Sequence, residues 1–372
     1  MKILFVSKLT SRVPSGPNWS VPARIKAQSK IDDVYWINCD DSMMPHWEET
    51  GLLHTIDDIG GKLRLKAIIL NFGKPDIVIF EGAFFIQYLS FACQLRRRKI
   101  PYIIVPRSSF TYQGMNNHAK WKKKVAGWLF FNRFFKGARA IQYLTPNEQN
   151  DSKLSFLPIG FIVANGIDVQ DKYRHLSKEN IVGVYVGRIN IYQKGLDLLL
   201  NAVTDNADFL RKMNLRLHIY GPQNKDYEIL LDKVKHNSIE DLFCLKGEIG
   251  GKTKEMALRD ADFFIMTSRF EGLPMALLEA LSYSVPCVVT DGTNMRKEVE
   301  EYEAGIGCDF TIKDIGSTLC KIAKVPHILD NYRENAYILA GQYKWEKQAE
   351  KLHKILTGLI REDYTPAYKF NL

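Results

Sequence analysis

Two groups of residues in this 372-residue chain have the types and spacing to do chemistry. In the first, the apolar run Ile181 to Val186 leads into Gly187-Arg188, a short loop reaches Lys194-Gly195, and a helix-patterned segment, Leu196 to Val203, follows. Cations at the carboxyl end of a strand and beside a helix amino terminus combine point charge with free backbone N–H groups. That combination holds a pyrophosphate and stabilises it as a leaving group. The plainer alternative is an arginine and a lysine that only keep a loop solvated. In the second group, Phe263 to Thr267 precedes Ser268-Arg-Phe-Glu271-Gly272-Leu273-Pro274, and the helix-patterned Met275-Ala-Leu-Leu-Glu279-Ala-Leu comes next. Pro274 suits the first helical turn, which puts Glu271 in the loop at the helix mouth and Glu279 on the second turn. A loop carboxylate accepts hydrogen bonds from sugar hydroxyls, a helix carboxylate takes both hydroxyls of a ribose, and the Gly272 and Leu273 amides face phosphate or sugar. The plainer alternative is an acidic residue complementing the helix dipole, plus a surface glutamate.

The elements that must position these groups are legible in the apolar pattern. Ile3 to Val6, Ile77 to Phe80, Tyr102 to Val105 and Ala140 to Leu144 read as buried strands separated by helix-like stretches. Ile181 to Val186, Leu215 to Tyr220, Phe243 to Leu245, Phe263 to Thr267 and Cys287 to Thr290 read as a second such set. Short apolar runs alternating with helical periodicity predict parallel α/β sheets. The fold class expected is therefore α/β, with two Rossmann-like doubly wound domains facing each other across a cleft and ligands on the loops after strands. The Pro and Gly punctuation of Pro158 to Asp168 and the polar segment Asp171 to Asn180 mark the connection. The expected divisions are 1–165, 166–345 and a final segment, 346–372, that returns to the first domain.

Composition narrows the class. Apolar residues are 46% and charged residues 25%, ordinary for a folded chain. Six scattered cysteines form no CxxC pair, so no zinc cage or redox motif is indicated. The opening Met1-Lys-Ile-Leu-Phe-Val-Ser is too short an apolar run for a signal core, so the expected location is the cytoplasm. A formal charge of +9 favours anionic partners without naming one.

Together the residues resemble the GT-B fold glycosyltransferases of family 4, the glycosyl transferases group 1, of the bacterial polysaccharide-biosynthesis type. The matching motifs are Asn165-Gly-Ile-Asp168, Val186-Gly-Arg-Ile with Lys194-Gly195, Tyr220-Gly221-Pro222, and Ser268 to Ala280 with glutamates eight positions apart. Tyr343-Lys-Trp345 resembles the aromatic motif before the family's last helix. The resemblance implies that Arg188, Lys194 and Glu271 are the catalytic group, the two cations on the donor diphosphate and Glu271 on the transferred sugar. It implies donor contacts at Gly16, Gly187, Gly221, Ile249, Gly272, Leu273 and Pro274, with Glu279 on the ribose. The activity implied is hexosyl transfer with retention, without metal or cofactor, from a UDP- or GDP-linked sugar to a saccharide or lipid-linked saccharide in capsule, exopolysaccharide or lipopolysaccharide assembly. After Tyr102 to Val105, where many relatives carry a histidine, this chain reads Pro106-Arg107-Ser108-Ser109. Arg107 and Ser108 are acceptor-side candidates, against a structural salt bridge for Arg107. The alternatives are an epimerase or phosphorylase of the same fold, or a non-catalytic assembly subunit at the membrane.

Other signals carry less. Gly247 to Thr253 imitates a phosphate loop but has Lys246 where the first glycine belongs. Asp260-Ala-Asp262 imitates a metal-binding pair, yet it closes a helix and opens a strand, and the eight histidines show no ligand spacing. The basic and aromatic stretch around Lys120 to Lys136, with Arg96 to Lys99, predicts peripheral contact with the anionic inner face of a membrane. The plainer reading has its apolar residues packing on the sheet. No exposed stacking pattern indicates nucleic acid.

Overall fold

The structure is a computed structural model and describes residues 1–12, 16–111, 131–152, 158–169 and 180–361. The chain divides into two compact units, Met1–Gly166 with Trp345–Leu372, and Ile167–Lys344.

The first unit is built on a parallel seven-stranded sheet: β1 (Lys2–Ser7), β2 (Asp33–Asn38), β3 (Leu53–Thr55), β4 (Ile77–Glu81), β5 (Tyr102–Val105), β6 (Ala140–Tyr143) and β7 (Gly160–Ile162). Their order is β3-β2-β1-β4-β5-β6-β7. Runs such as Ile3-Leu-Phe-Val6 and Ile77-Val-Ile-Phe80 are fully buried because helices cover both faces, which is why they read as continuous apolar stretches. Three strands escape the sequence reading. In β2 the run is masked by the polar tips of Tyr35 and Trp36, β3 has a single aliphatic residue, and β7 lies within the segment read as connection. Each is held by its ladder instead, as in Trp36 against Leu53 and Ile141 against Gly160. Beneath β4 and β5 lies an aromatic floor in which Phe80 meets Tyr102 edge-on at 5.5 Å and Tyr102 stacks on Phe134 at 5.6 Å. Such pairs each add roughly 0.5–1.5 kcal/mol beyond area burial.

The loops after β1 and β2 lead into α1 (Gly16–Gln28) and the short α2 (Pro45–Glu48). The second unit carries β8 (Ile181–Val186), β9 (Leu215–Tyr220), β10 (Phe243–Gly247), β11 (Phe263–Met266), β12 (Cys287–Thr290) and β13 (Gly305–Cys308), all parallel, in the order β10-β9-β8-β11-β12-β13. Half of β13 is glycine, so it carries little apolar signal. Helix α3 (Leu196–Asp205) follows β8 through a loop, and α4 (Met275–Ser282) follows β11. The last helix, α5 (Trp345–Arg361), belongs to the first unit and packs Trp345 and Ala349 against Ala27 of α1, with His353 Nδ1 2.9 Å from the buried Asp32 carboxylate.

In both sheets the strand order reverses beside the first strand, between β1 and β4 and between β8 and β11. Loops leaving the carboxyl ends of two such strands diverge to opposite sides and leave a crevice, the usual ligand site of an open α/β sheet.

Candidate active site

In the second unit, the switch point lies between β8 and β11, and the two residue groups singled out by spacing leave these two strands. The loop after β8 makes a tight turn through Gly195, whose φ of +62° lies in the left-handed region. A Cβ there would stand 2.0 Å from the carbonyl oxygen of Thr267, so the residue type is dictated by close approach of the two loops. Thr267 Oγ1 donates to the Gly195 carbonyl at 3.1 Å and closes the same seam.

Across this seam Lys194 Nζ forms an ion pair with Glu271 Oε1, their side chains only 10% and 9% exposed. Ser268 Oγ donates to the same carboxylate oxygen at 2.7 Å. An ammonium has three N–H donors, so pairing with Glu271 leaves donors for a second anion. Breaking a buried pair of this kind from one side costs about 3–5 kcal/mol, because the remaining charge is left without a partner. Arg188, two residues past β8, is exposed, and its carbonyl accepts a hydrogen bond from Tyr185 Oη at 2.9 Å. Burial, with the nearby Glu271 charge added, pushes the Tyr185 phenol well above its ordinary range, so it stays a neutral donor.

Arg269 fastens the two loops together. Its backbone N–H donates to the Gln193 carbonyl at 2.8 Å, Nη1 to the Tyr192 carbonyl at 2.7 Å, and Nη1 and Nη2 reach the two carboxylate oxygens of Asp197 at 2.6 and 2.7 Å. The guanidinium also lies over the Tyr192 and Phe310 rings, at 4.5 and 5.1 Å. Burial, the largest single influence, works against the Asp197 carboxylate, but the Arg269 hydrogen bonds, the Arg269 charge and backbone N–H bonds together outweigh it and hold the group below its usual range. Neither Arg269 nor Asp197 was marked by spacing, since their link spans seventy-two positions.

Pro274 sits one position earlier than expected: it is the N-cap of α4, with ψ of 103°, and supplies no side-chain cap. The N–H groups of the first turn are therefore not taken by a capping side chain. The Asn294 amide donates to the Glu271 and Gly272 carbonyls, fixing the loop before the helix, while Leu273 is buried. Glu279 on the second turn pairs with Lys254 Nζ. Lys254 lies one residue past the segment that imitates a phosphate loop, whose last three residues open helix Gly251–Arg259 after Gly250. At the ends of β8, β9 and β10, the Gly187 N–H donates to the Tyr220 carbonyl and the Gly221 N–H to the Gly247 carbonyl. A Cβ on Gly221 would lie 2.3 Å from the Gly187 oxygen. The half-buried Ile249 follows on the same edge. Asp262 is structural, accepting from the Val182 N–H at 2.7 Å. Among the described residues no cluster of three or more His, Cys, Asp or Glu could hold a metal.

In the first unit, Gly16 opens α1, is exposed, and has open space where a Cβ would stand. Arg107 and Ser108 follow β5 with φ of +50° and +66°, two consecutive non-glycine residues in a costly region. Arg107 Nε donates to Glu81 at 2.8 Å and Nη1 to Ser20 Oγ at 3.1 Å, while its buried Nη2 meets no hydrogen-bond partner among the described residues. Arg24 takes the other Glu81 oxygen at 2.8 Å, so one carboxylate serves two guanidiniums. Burial, only partly offset by Glu81, lowers the Arg24 pKa to about 10. The Ser108 N–H donates to buried Glu148. The structural salt bridge of Arg107 is thus made, with the two N–H donors of Nη2 to spare.

The stretch Lys120 to Lys136 falls outside the described residues up to residue 130. In its described part, residues 131–136, Phe131, Phe134 and Phe135 are buried in the first core while Arg133 and Lys136 are exposed. Among the described residues no helix is long and apolar enough to cross a membrane.

Residues 168–339 match the family model Glycosyl transferases group 1. Mannosylfructose-phosphate synthase of Agrobacterium fabrum is 25% identical over 219 residues, 55% of this chain and 48% of that protein. The amylovoran biosynthesis glycosyltransferase AmsD of Erwinia amylovora is 34% identical over 182 residues, 48% of each chain. The chain spans about half the length of these curated relatives. Among solved structures, sucrose-phosphate synthase from Thermosynechococcus elongatus has a TM-score of 0.73 at 14% identity, covering 97% of this chain and 99% of that one. Anabaena Alr3699/HepE in complex with UDP has 0.75 at 14%, covering 96% and 100%. At these identities the likeness is one of fold.

Proposed function

We propose that this chain, a GT-B-fold protein whose residues 168–339 belong to the glycosyl transferases group 1, is a retaining glycosyltransferase that moves a hexose from a nucleoside diphosphate to a hydroxyl of a saccharide or lipid-linked saccharide. The observation that carries the reading is the Lys194–Glu271 pair at the β8/β11 switch point, with exposed Arg188 on the same strand end and an uncapped helix amino terminus after Glu271.

Each part has a task in such a reaction. The diphosphate gathers negative charge as the glycosidic bond breaks. Arg188, the spare donors of Lys194 and the first-turn amides of α4 meet that charge in place, without reorganising. Glu271, already oriented by Lys194 and Ser268, accepts from hydroxyls of the transferred sugar. Glu279 takes the ribose hydroxyls, and the glycine-lined ends of β8 to β10 let the base approach the backbone. With retention, acceptor attack occurs on the face the phosphate leaves, so a departing phosphate oxygen takes the acceptor proton and no side-chain base is required. Arg107 Nη2 is the acceptor-side donor of this scheme. The donor is UDP- or GDP-linked, and the UDP complex of Alr3699/HepE favours uridine. The acceptor belongs to polysaccharide assembly at the inner face of a membrane, where the basic stretch 120–136 would make contact.

A panel of UDP- and GDP-sugars tested by thermal shift, followed by turnover and NMR of the product anomeric proton, checks the reading. At a hundredfold excess over Kd a true donor adds about 2.7 kcal/mol. The proposal falls if no nucleotide sugar shifts stability, or if Arg188→Ala keeps full activity.

A further inference from the structure

In the first unit an exposed indole is stacked on a half-buried imidazole. Trp19, on the first turn of α1, is 59% exposed, and its indole lies flat on the His46 ring, with centroids 4.0 Å apart and planes 3° off parallel. The pair is built, not draped. His46 Nε2 lies 3.0 Å from the Asn18 carbonyl oxygen, and the same oxygen accepts from the buried Trp47 indole at 2.7 Å. The Asn18 amide in turn donates to the Thr10 carbonyl at 2.8 Å. These bonds lock α2 onto the start of α1, so one indole face is backed by the imidazole and the ring stands fixed in solvent.

Its surroundings are polar. The loops after β1 and β2 meet through the Ser11 N–H donating to Ser42 Oγ at 2.9 Å and through Ser42 and Thr10 hydroxyls 3.1 Å apart. At their rim Arg12 and Asp41 form an exposed pair at 3.0 Å, their side chains 70% and 80% exposed. A rigid flat ring on α1, with a guanidinium, a carboxylate and hydroxyls on the loops that lead into α1 and α2, matches a neutral pyranose, which offers a C–H face to the ring and a rim of hydroxyls to the polar groups. An anionic surface fits poorly, because Asp40 and Asp41 follow β2 and Glu48 and Glu49 close α2. The stack also stands where β1 delivers the chain, on the flank of the β1/β4 switch point.

We infer that the Trp19–His46 stack is a platform for an uncharged sugar ring, and that it holds the acceptor saccharide of the reaction proposed above. The inference rests on that reading for the word acceptor and on the local geometry for the word sugar. The test uses methyl glycosides of glucose, galactose and mannose as probes, in saturation-transfer NMR with the full chain. At least one glycoside should receive saturation at its ring C–H protons. Trp19→Ala should lose it, weakening binding about tenfold, the order found when one stacked ring is removed. Trp19→Phe should keep it, and His46→Ala should weaken it by less. Because Trp19 is exposed, both Trp19 variants should unfold within a degree or two of the parent, about what surface changes allow. The inference is overturned if no glycoside binds, if Trp19→Ala binds as well as the parent, or if Trp19→Ala instead lowers retention on phosphatidylcholine–phosphatidylglycerol vesicles. Thermal shift with nucleotide sugars, run on the same samples, separates the two ideas. A donor response without glycoside binding removes only the platform, and glycoside binding without a donor response removes only the transferase reading.

Discussion

Arg269 should govern catalysis without touching a reactant. It reaches back to the loop bearing Lys194 through the two Asp197 contacts at 2.6 and 2.7 Å and the Tyr192 carbonyl at 2.7 Å, with side chains 17% and 29% exposed across the ion pair. Hydrogen bonds to charged groups are each worth roughly 1.5–3 kcal/mol when sheltered, and less where solvent reaches them. Discounting for that exposure, Arg269→Ala should loosen the loop by about 2 kcal/mol. If that cost falls on the positioning of Lys194 and Glu271, kcat/KM should drop about thirtyfold, since each 1.36 kcal/mol is a factor of ten. Arg269→Lys keeps the charge but not the two-pronged geometry, so about a fivefold drop is expected. The assay is nucleoside diphosphate release at varied donor, with a double-mutant cycle against Asp197→Ala. A coupling energy near zero, or Arg269→Ala with parental kcat/KM, would refute the positioning role.

Glu271→Ala should abolish turnover and also destabilise the second unit by about 3 kcal/mol, because it strands the buried Lys194 charge; restored stability in Lys194→Met/Glu271→Leu without restored activity would separate the two effects. Gly195→Ala forces a left-handed alanine with its Cβ 2.0 Å from the Thr267 oxygen, so a loss of more than about 2 kcal/mol and of activity is expected in chemical unfolding and turnover. The Asp197 carboxyl is held below its usual pKa, the Arg269 bonds and charge together with backbone N–H bonds outweighing burial. Its stabilisation is therefore fully present above the unfolded value near about 3.9 and disappears as pH falls through the lower folded value. Urea unfolding below about pH 4 should show this acid step in the parent and a smaller one in Arg269→Ala.

The strand-loop-helix grammar of both units was legible because burial on both faces writes each central strand as an unbroken apolar run, as in Ile3 to Val6 and Phe263 to Ile265. The Glu271 and Glu279 placements were legible for another local reason: a helix start read to within one residue, with Pro274 as its N-cap, fixes which residues lie at its mouth and on its second turn. Strands stabilised by their neighbours, such as β3 and β13, left little trace, since a ladder hydrogen bond is indifferent to side-chain type.

By itself the sequence determined the candidates: two cations after one strand, two glutamates around one helix start, an arginine where a histidine is common in the family it resembles. Only the tertiary structure decided their partners. Lys194 meets Glu271 across seventy-seven positions, Arg269 meets Asp197, Lys254 meets Glu279, Arg24 shares Glu81 with Arg107, and Trp19 lies on His46. Periodicity reports which face of its own element a residue occupies. Which elements become neighbours depends on strand order, and the reversal between β8 and β11 is what brings two distant loops to one crevice.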